Sequence, residues 1–372
     1  MAIYFEIMNK LRRQTKLKLL DSKAKLGQKL IKNPPRRILM IKAHSMGIGD
    51  ILRSSAAWRA LKDLWPEAEL HLLFLSRHEG YPSEVLISQH HLLSSATFLT
   101  IRKGDPHDRN IKKESNWTIL NKVHLLAKAV QPDLIIDFEW AGCRTSIATA
   151  VARMACGAKS LGINQFPLRS LFYQLTAPST EAFDNKNKLT FPYDYTLRDF
   201  VVLDALGIQR GHTPIELKSG PTSKERIAKI LPVNKELIRV GLNIGCGTFG
   251  ASHKRMPLDK LAECFIRWMK IQPIEIILTG APNEREINQK FLEIFIASGG
   301  DEKFMRDCAG QTDILDLTAL IETCNLFVTT DSGPYHMAVA LKTPTICWLN
   351  SNDITSIHNH SWVRCLVNPS IY

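Results

Sequence analysis

The sequence predicts an α/β protein of two similar halves, each a parallel sheet flanked by helices. Three observations carry this. Apolar runs of strand length alternate with helical patterns over residues 37–155, and again over 238–349. Between the two series, residues 207–237 contain Gly207, Gly211, Pro214, Gly220, Pro221 and Pro232, the composition of a linker. Glycine-rich turns at 44–50, 245–250 and 329–333 close three strand-like runs, and ligands of open α/β sheets bind at the carboxyl ends of strands. The expectation is two halves with a cleft between them.

The elements follow in order. Residues 1–35 form an arm ended by Pro34-Pro35. Arg37 to Ala43 (RILMIKA) reads as a buried strand, and helix signals run from Gly49 to Leu64, before Pro66. Strands follow at 70–75, 96–101 and 134–137, with helices at 116–130 and 144–155. Residues 103–116 are polar and read as a loop. The second series has strands at IRVGLNIG (238–245), IEIILTG (274–280), 326–328 and the apolar run after Pro344, and helices at 257–270, 283–298, 313–322 and between the last two strands. The expected domains are 1–35, 36–218 and 219–372.

Composition excludes several classes. No apolar run approaches the length of a transmembrane helix, and the N-terminus lacks a signal peptide's apolar core and cleavage site. The eight cysteines include no Cys-x-x-Cys pair, so no zinc site or disulfide framework is indicated, which suits a reducing cytoplasm. The formal charge of +12 is unevenly placed. Residues 1–37 hold eleven Lys/Arg against Glu6 and Asp21, which leaves the rest of the chain almost balanced. Tyr4, Met8, Leu11, Leu19, Leu26 and Leu30 fall near one helical stripe of that arm, with lysines elsewhere. A basic amphipathic helix can lie on an anionic membrane surface, or pack on the body with its basic face solvated. No nucleic-acid motif accompanies it, so nucleic acid is not the expected partner.

Four stretches could carry chemistry. AHSMGIGDIL (43–52) contains Gly47 and Gly49, but the third glycine of a dinucleotide fingerprint would fall at Leu52, and no acid ends the next strand. Asp50 is either a helix cap or a general base with access to a substrate hydroxyl. NIGCGTFGASHKRMP (243–257) joins a glycine-rich turn to Lys254 and Arg255, and backbone N–H groups with a lysine can hold a diphosphate. In LTGAPNERE (278–286), Glu284 could accept from ribose hydroxyls or a base, or serve as a favourable first-turn charge. In TTDSGPYHMAVA (329–340), Ser332 can cap a helix, Pro334 suits its first turn, and His336 would lie near an anion bound there.

Lys254-Arg255-Met256-Pro257, Leu278-Thr279-Gly280 with Glu284, Cys308-Ala309-Gly310, and Asp331-Ser332-Gly333 with His336 and Pro344 resemble family 9 glycosyltransferases in order and spacing. These are the heptosyltransferases of lipopolysaccharide core synthesis and their relatives. SMGIGDIL followed by WPEAELHLLF looks like the family's N-terminal signature, so the resemblance covers about residues 37–350. It implies a GT-B fold, two Rossmann-like domains facing across a cleft, with the acceptor on the N-terminal domain and the nucleotide-sugar on the C-terminal one. It implies inverting transfer without a metal, in keeping with the lack of any Asp-x-Asp motif. Asp50 matches the family's catalytic base, with Gly47 and Gly49 on the acceptor side. Thr248 and Lys254 match its diphosphate loop, Glu284 its nucleoside-contacting acid, and Asp331, Ser332, Gly333 and His336 its donor-binding turn.

The resemblance implies no cofactor beyond an ADP-linked donor, and a glycolipid acceptor; with such an acceptor, the basic amphipathic arm over residues 1–33 would attach the chain peripherally at the cytoplasmic face of the inner membrane. The chain departs from the family at Met256, where tryptophan is usual, and at Asn350-Ser351-Asn352, where Gly-Pro is usual. About twenty residues follow, short of the usual C-terminal helices. A nucleotide-sugar epimerase of the same fold, and a relative that has lost catalysis and acts as a membrane-bound binder, are the alternatives.

Overall fold

The computed structural model describes residues 31, 33–44, 47–78, 81–102, 114–189, 194–245, 252–349 and 357–367. The arm over 1–30, most of the polar loop, Thr248 and Asn350–Asn352 lie outside them. Contacts divide the chain into two compact units. The first holds the chain up to His44 and Arg53–Thr213; the second holds Gly47–Leu52 and the chain from Pro214 onward.

The first unit is built on six parallel strands in the order β3-β2-β1-β4-β5-β6: β1 (Arg37–His44), β2 (Glu69–His78), β3 (Ser95–Arg102), β4 (Leu134–Asp137), β5 (Lys159–Ile163) and β6 (Leu175–Ala177). Ile38, Leu39, Met40 and Ile41 are all fully buried, as a central parallel strand covered on both faces requires. The expected helix over 49–64 is two helices, α1 (Ile48–Leu52) and α2 (Ser55–Leu64), with a turn at Arg53-Ser54. Ser54 is held in the first unit, where its Oγ accepts from Lys42 Nζ (2.8 Å) and donates to Asp199 Oδ2 (2.7 Å), while α1 packs with the second unit. The apolar pattern runs through the break, so periodicity could not mark it. α3 (Pro82–Ser88), α4 (Asn116–Val130) and α5 (Arg144–Cys156) follow. Ser115 Oγ caps α4 by accepting from Thr118 N–H, and Gly157 ends α5 in the left-handed region, φ 72°. α4 and α5 cover Leu39, Ile41, Leu73, Leu75 and Ile135 on one face of the sheet. α6 (Thr180–Asn187) and α7 (Leu197–Leu203) complete the unit.

The second unit opens on α8 (Pro221–Ile230), which occupies part of the expected linker and buries Ile227. Its six parallel strands are β7 (Ile238–Asn243), β8 (Ile274–Leu278), β9 (Met305–Asp307), β10 (Leu326–Thr330), β11 (Thr345–Leu349) and β12 (Val363–Val367), in the order β12-β11-β10-β7-β8-β9. Helices α9 (Leu258–Met269), α10 (Arg285–Ala297), α11 (Ile314–Glu322) and α12 (Gly333–Ala340) connect them. Phe265, Phe291 and Phe295 pack on Val240, Leu242 and Ile276, and Met256 joins this core at 5% exposure. Read from its own first strand, this sheet repeats the order 3-2-1-4-5-6 of the first. Each unit therefore has one point where strand order reverses, between β1 and β4 and between β7 and β10. The fold class is the expected α/β one.

Candidate active site

The β7/β10 reversal point gathers most of the expected donor residues. β10 ends in Thr329-Thr330, both fully buried, and the chain turns through Asp331-Ser332 into α12. Ser332 stands at the cap position but makes no cap bond. Its one hydroxyl proton is shared between Asn243 Oδ1 (3.3 Å), at the end of β7, and Thr330 O (3.2 Å), so the turn is tied across the reversal point. Thr330 Oγ1 donates to Gly245 O (2.9 Å) from the same turn.

Lys254 ends a short 3-10 turn, Ser252–Lys254, and donates from Nζ to Asp331 Oδ2 (2.7 Å) and Asp331 O (3.3 Å). The pair is 26% and 13% exposed, so an incoming anion can reach the ammonium without entering the core. Asp331 Oδ1 also lies 4.0 Å from Nε2 of buried His336. His336 Nδ1 shares a hydrogen bond with His358 Nε2 (2.8 Å). His336 has the backbone of Gly49 against its other side: a Cβ at Gly49 would meet the imidazole Cδ2 at 2.2 Å. Ile48 likewise packs 3.0 Å from where a Cβ of Gly333 would stand. The glycines of α1 and α12 therefore let the two helices approach, and bring Asp50 into the second unit beside this turn.

Glu284 sits beyond β8, buried at 7% exposure. Its Oε2 accepts from Ala281 N–H (2.8 Å), while Oε1 lacks a partner among the described residues and occupies the space a Cβ of Gly245 would need, 2.2 Å away. Burial raises its pKa above the ordinary carboxylate value, against the Ala281 N–H and the Arg255 charge. A buried carboxylate oxygen without a donor is costly unless a ligand supplies one.

The β1/β4 reversal point in the first unit is built differently. Asp137, at the end of β4, is fully buried; its Oδ2 accepts from Tyr173 Oη–H (2.6 Å) and faces Arg169 Nη2 (3.4 Å). Tyr173 Oη also meets Ser146 Oγ (2.7 Å), and its ring fills the space above Gly162. Arg169 donates onward to Trp140 O (2.8 Å) and Glu139 O (2.5 Å), fixing the loop after β4. Burial raises the Asp137 and Tyr173 pKa values. A groove of about 970 Å³, lined by Pro34, Pro35, Leu64, Trp65, Pro66 and Leu134, lies at the amino ends of these strands, away from the carboxyl ends where such sheets bind ligands.

Residues 208–354 match the model of glycosyltransferase family 9 (heptosyltransferase). This segment is a family 9 glycosyltransferase domain. The enzyme class expected from the sequence, a glycosyltransferase, rests on it. No curated protein sequence matches the chain. Solved structures share its fold over 90% of its length. A family 9 glycosyl transferase from Veillonella parvula has a TM-score of 0.65 at 17% identity, over 86% of that chain. E. coli ADP-heptose LPS heptosyltransferase II gives 0.60 at 18%, over 93% of its length. E. coli heptosyltransferase WaaC with ADP-2-deoxy-2-fluoro heptose gives 0.61 at 16%, over 94%. These likenesses establish the GT-B class of two Rossmann-like units.

The family 9 domain contains Lys254, Glu284, Asp331, Ser332, Gly333 and His336. Gly47, Gly49 and Asp50, expected on the acceptor side, lie outside the matched segment but pack in the same unit. Asn243, Gly245 and Thr330 belong to the cluster and were not singled out. Asn243 had a signal, a polar residue closing an apolar strand. His358 had none, being twenty-two residues from His336 and beyond the matched segment.

Proposed function

We propose that this chain is an inverting, metal-independent glycosyltransferase that moves a heptose or related sugar from an ADP-linked donor to a lipopolysaccharide-type or other surface glycan. The observation that carries the reading is the cluster at the β7/β10 reversal point. It offers a reachable ammonium at Lys254, the first turn of α12, and a buried acceptor oxygen on Glu284, all inside a family 9 domain. The E. coli neighbours named for ADP and heptose favour the adenine and the heptose.

In this reading Glu284 Oε1 accepts from a ribose hydroxyl. The diphosphate lies against Lys254 and the N–H groups of Ser332 and Gly333, and Thr248 is a further contact that the resemblance implies. As the glycosidic bond breaks, negative charge gathers on the diphosphate, and these fixed positive groups stabilise it with little reorganisation. Asp331 holds Lys254 in place, and His336 supports Asp331 and the backbone at Gly49. Asp50 takes the proton of the acceptor hydroxyl as its oxygen attacks the anomeric carbon from the face opposite the diphosphate. Gly47, next to the Asp50 carboxylate, lets the acceptor reach it, and Gly49 on the same turn lets α1 pack on His336. The acceptor is a glycolipid, bound chiefly by the domain over 36–218, and the basic segment 1–33 holds the chain at the cytoplasmic face of the inner membrane. No described helix is long and apolar enough to cross one.

The test is Asp50→Asn with ADP-heptose and a glycolipid acceptor. Loss of a positioned base lowers turnover by about 10²–10⁴-fold, while ADP affinity by calorimetry stays unchanged. Near wild-type turnover would leave Asp50 a helix-start residue only. Donor consumption without glycan product would replace transfer by epimerisation, and no nucleotide binding at all would favour a lapsed binder.

A further inference from the structure

We propose that the first unit carries a bilayer-docking surface, formed by the turn at Phe166–Phe172 and the outer face of α5, and that its occupant is an anionic phospholipid membrane. The inference goes beyond the donor reading and does not depend on it.

Large apolar side chains are exposed here in a group. Leu168 and Leu171 are each 73% exposed, Met154 is 74%, Phe166 44% and Ile147 40%. The 3-10 turn Arg169–Phe172 packs beside α5. On α5 the residues Thr145, Ser146, Ala148, Thr149 and Ala152 face inward, which leaves Arg144, Ile147 and Met154 on the outer stripe. Scattered apolar residues are ordinary on a soluble surface, but a group on one turn and one adjoining helix face marks a contact site.

The turn is anchored. Arg169 lies between the two exposed leucines and points inward, 1% exposed, bonded to the carbonyls of Glu139 and Trp140 and facing Asp137. Leu168 takes a left-handed backbone, φ 65°, a conformation leucine seldom adopts. The leucines thus project from a fixed base, at some backbone strain.

Charge identifies the occupant. The chain has 36 acidic residues, yet none falls between Trp140 and Thr180. Arg144 is exposed and Arg153 half-exposed on α5, beside the apolar stripe. An apolar surface edged by arginines and free of acids matches anionic headgroups over acyl chains. Trp140, 37% exposed and tied to Arg169 through its carbonyl, suits the interface between them. The same arginine links this surface to the loop after β4, so docking would place that loop at the headgroup level, where a glycolipid's sugars lie.

The experiment uses the full chain with phosphatidylcholine vesicles, with and without phosphatidylglycerol. Partitioning is measured by co-sedimentation for wild type and for Leu168→Asp/Leu171→Asp, two changes at exposed positions that leave the core intact. Amide exchange over residues 164–173 is followed with and without vesicles, because the basic arm alone could hold the chain on an anionic surface. The expected result is about tenfold or greater loss of partitioning in the double variant, and slowed exchange across the turn in wild type when phosphatidylglycerol vesicles are added. ADP binding stays the same in both proteins, which separates this surface from the donor site. Equal partitioning of the two proteins, with unchanged exchange at the turn, would overturn the proposal. So would a concentration-dependent dimer abolished by the double variant without any effect of vesicles.

Discussion

The two sheets share one strand order but use their reversal points in opposite ways. Between β1 and β4, Asp137, Arg169, Tyr173 and Ser146 are buried and satisfy one another. Around the β7/β10 point, Lys254 and Asp331 are partly exposed, and Glu284, reaching over from the end of β8, keeps an oxygen without a donor among the described residues. The topology creates a crevice at both points. Side chains then decide whether it is closed from within or left for a ligand. In the first unit the closing groups also fix the loop after β4, so a sealed network can still serve function by placing what surrounds it.

Breaking one charge at each point tests the contrast. The largest stability effect belongs to Arg169→Met, which leaves Asp137 buried without its cation. Losing one partner of such a pair costs about 3–5 kcal/mol, which lowers Tm by roughly 6–20 °C for a unit of this size. ADP affinity measured below that transition stays near wild type. Lys254→Ala should do the reverse. Its pair is partly solvated, so stability falls by less than about 1 kcal/mol, while loss of a charge-assisted contact to phosphate weakens ADP binding by about 10–100-fold, equivalent to about 1.5–3 kcal/mol. Calorimetric melting and ADP titration of both variants decide it. Equal destabilisation with unchanged ADP binding would mean that the second point is closed as well.

What the sequence disclosed follows from how far each signal reaches. Long apolar runs such as Ile38–Ile41 and the evenly patterned helices α4 and α5 were legible because burial on a parallel sheet dictates their composition locally. β5, β6, β9 and β12 were not expected: they run three to five residues and lie at or next to sheet edges, where little apolar sequence is needed. The break at Arg53-Ser54 was hidden because its cause is remote, Asp199, far along the chain. In the candidate site, Lys254 and His336 could be named from turn chemistry, and Asp331 from the resemblance. Their mutual arrangement could not, nor could the role of His358, because tertiary packing alone brings these residues together. Ser332 fitted a capping pattern, yet its hydroxyl serves Asn243 and Thr330 instead. Met256, a departure from the resemblance, proved to be a core residue.

The finest difference between the two points is a proton. Asp137 and Glu284 both have raised pKa values, chiefly from burial. Asp137 already receives the Tyr173 hydroxyl, whereas Glu284 Oε1 lacks a donor among the described residues. A raised pKa means that the folded chain holds this proton more tightly than the unfolded one. Glu284 therefore favours the fold most below its ordinary value of 4.5, and that contribution is lost as pH rises through the folded value. A ribose hydroxyl bonded to Oε1 stabilises the charged form, so binding ADP should release a proton over the same window. Calorimetry between about pH 5 and about pH 8 should show Kd falling as pH rises and then levelling off. Glu284→Gln should bind more weakly at the upper end and lose that slope, because the amide carries no titrating proton. A variant that kept the slope would place the titrating group elsewhere, and Glu284 would then resemble Asp137, a carboxyl held for the fold alone.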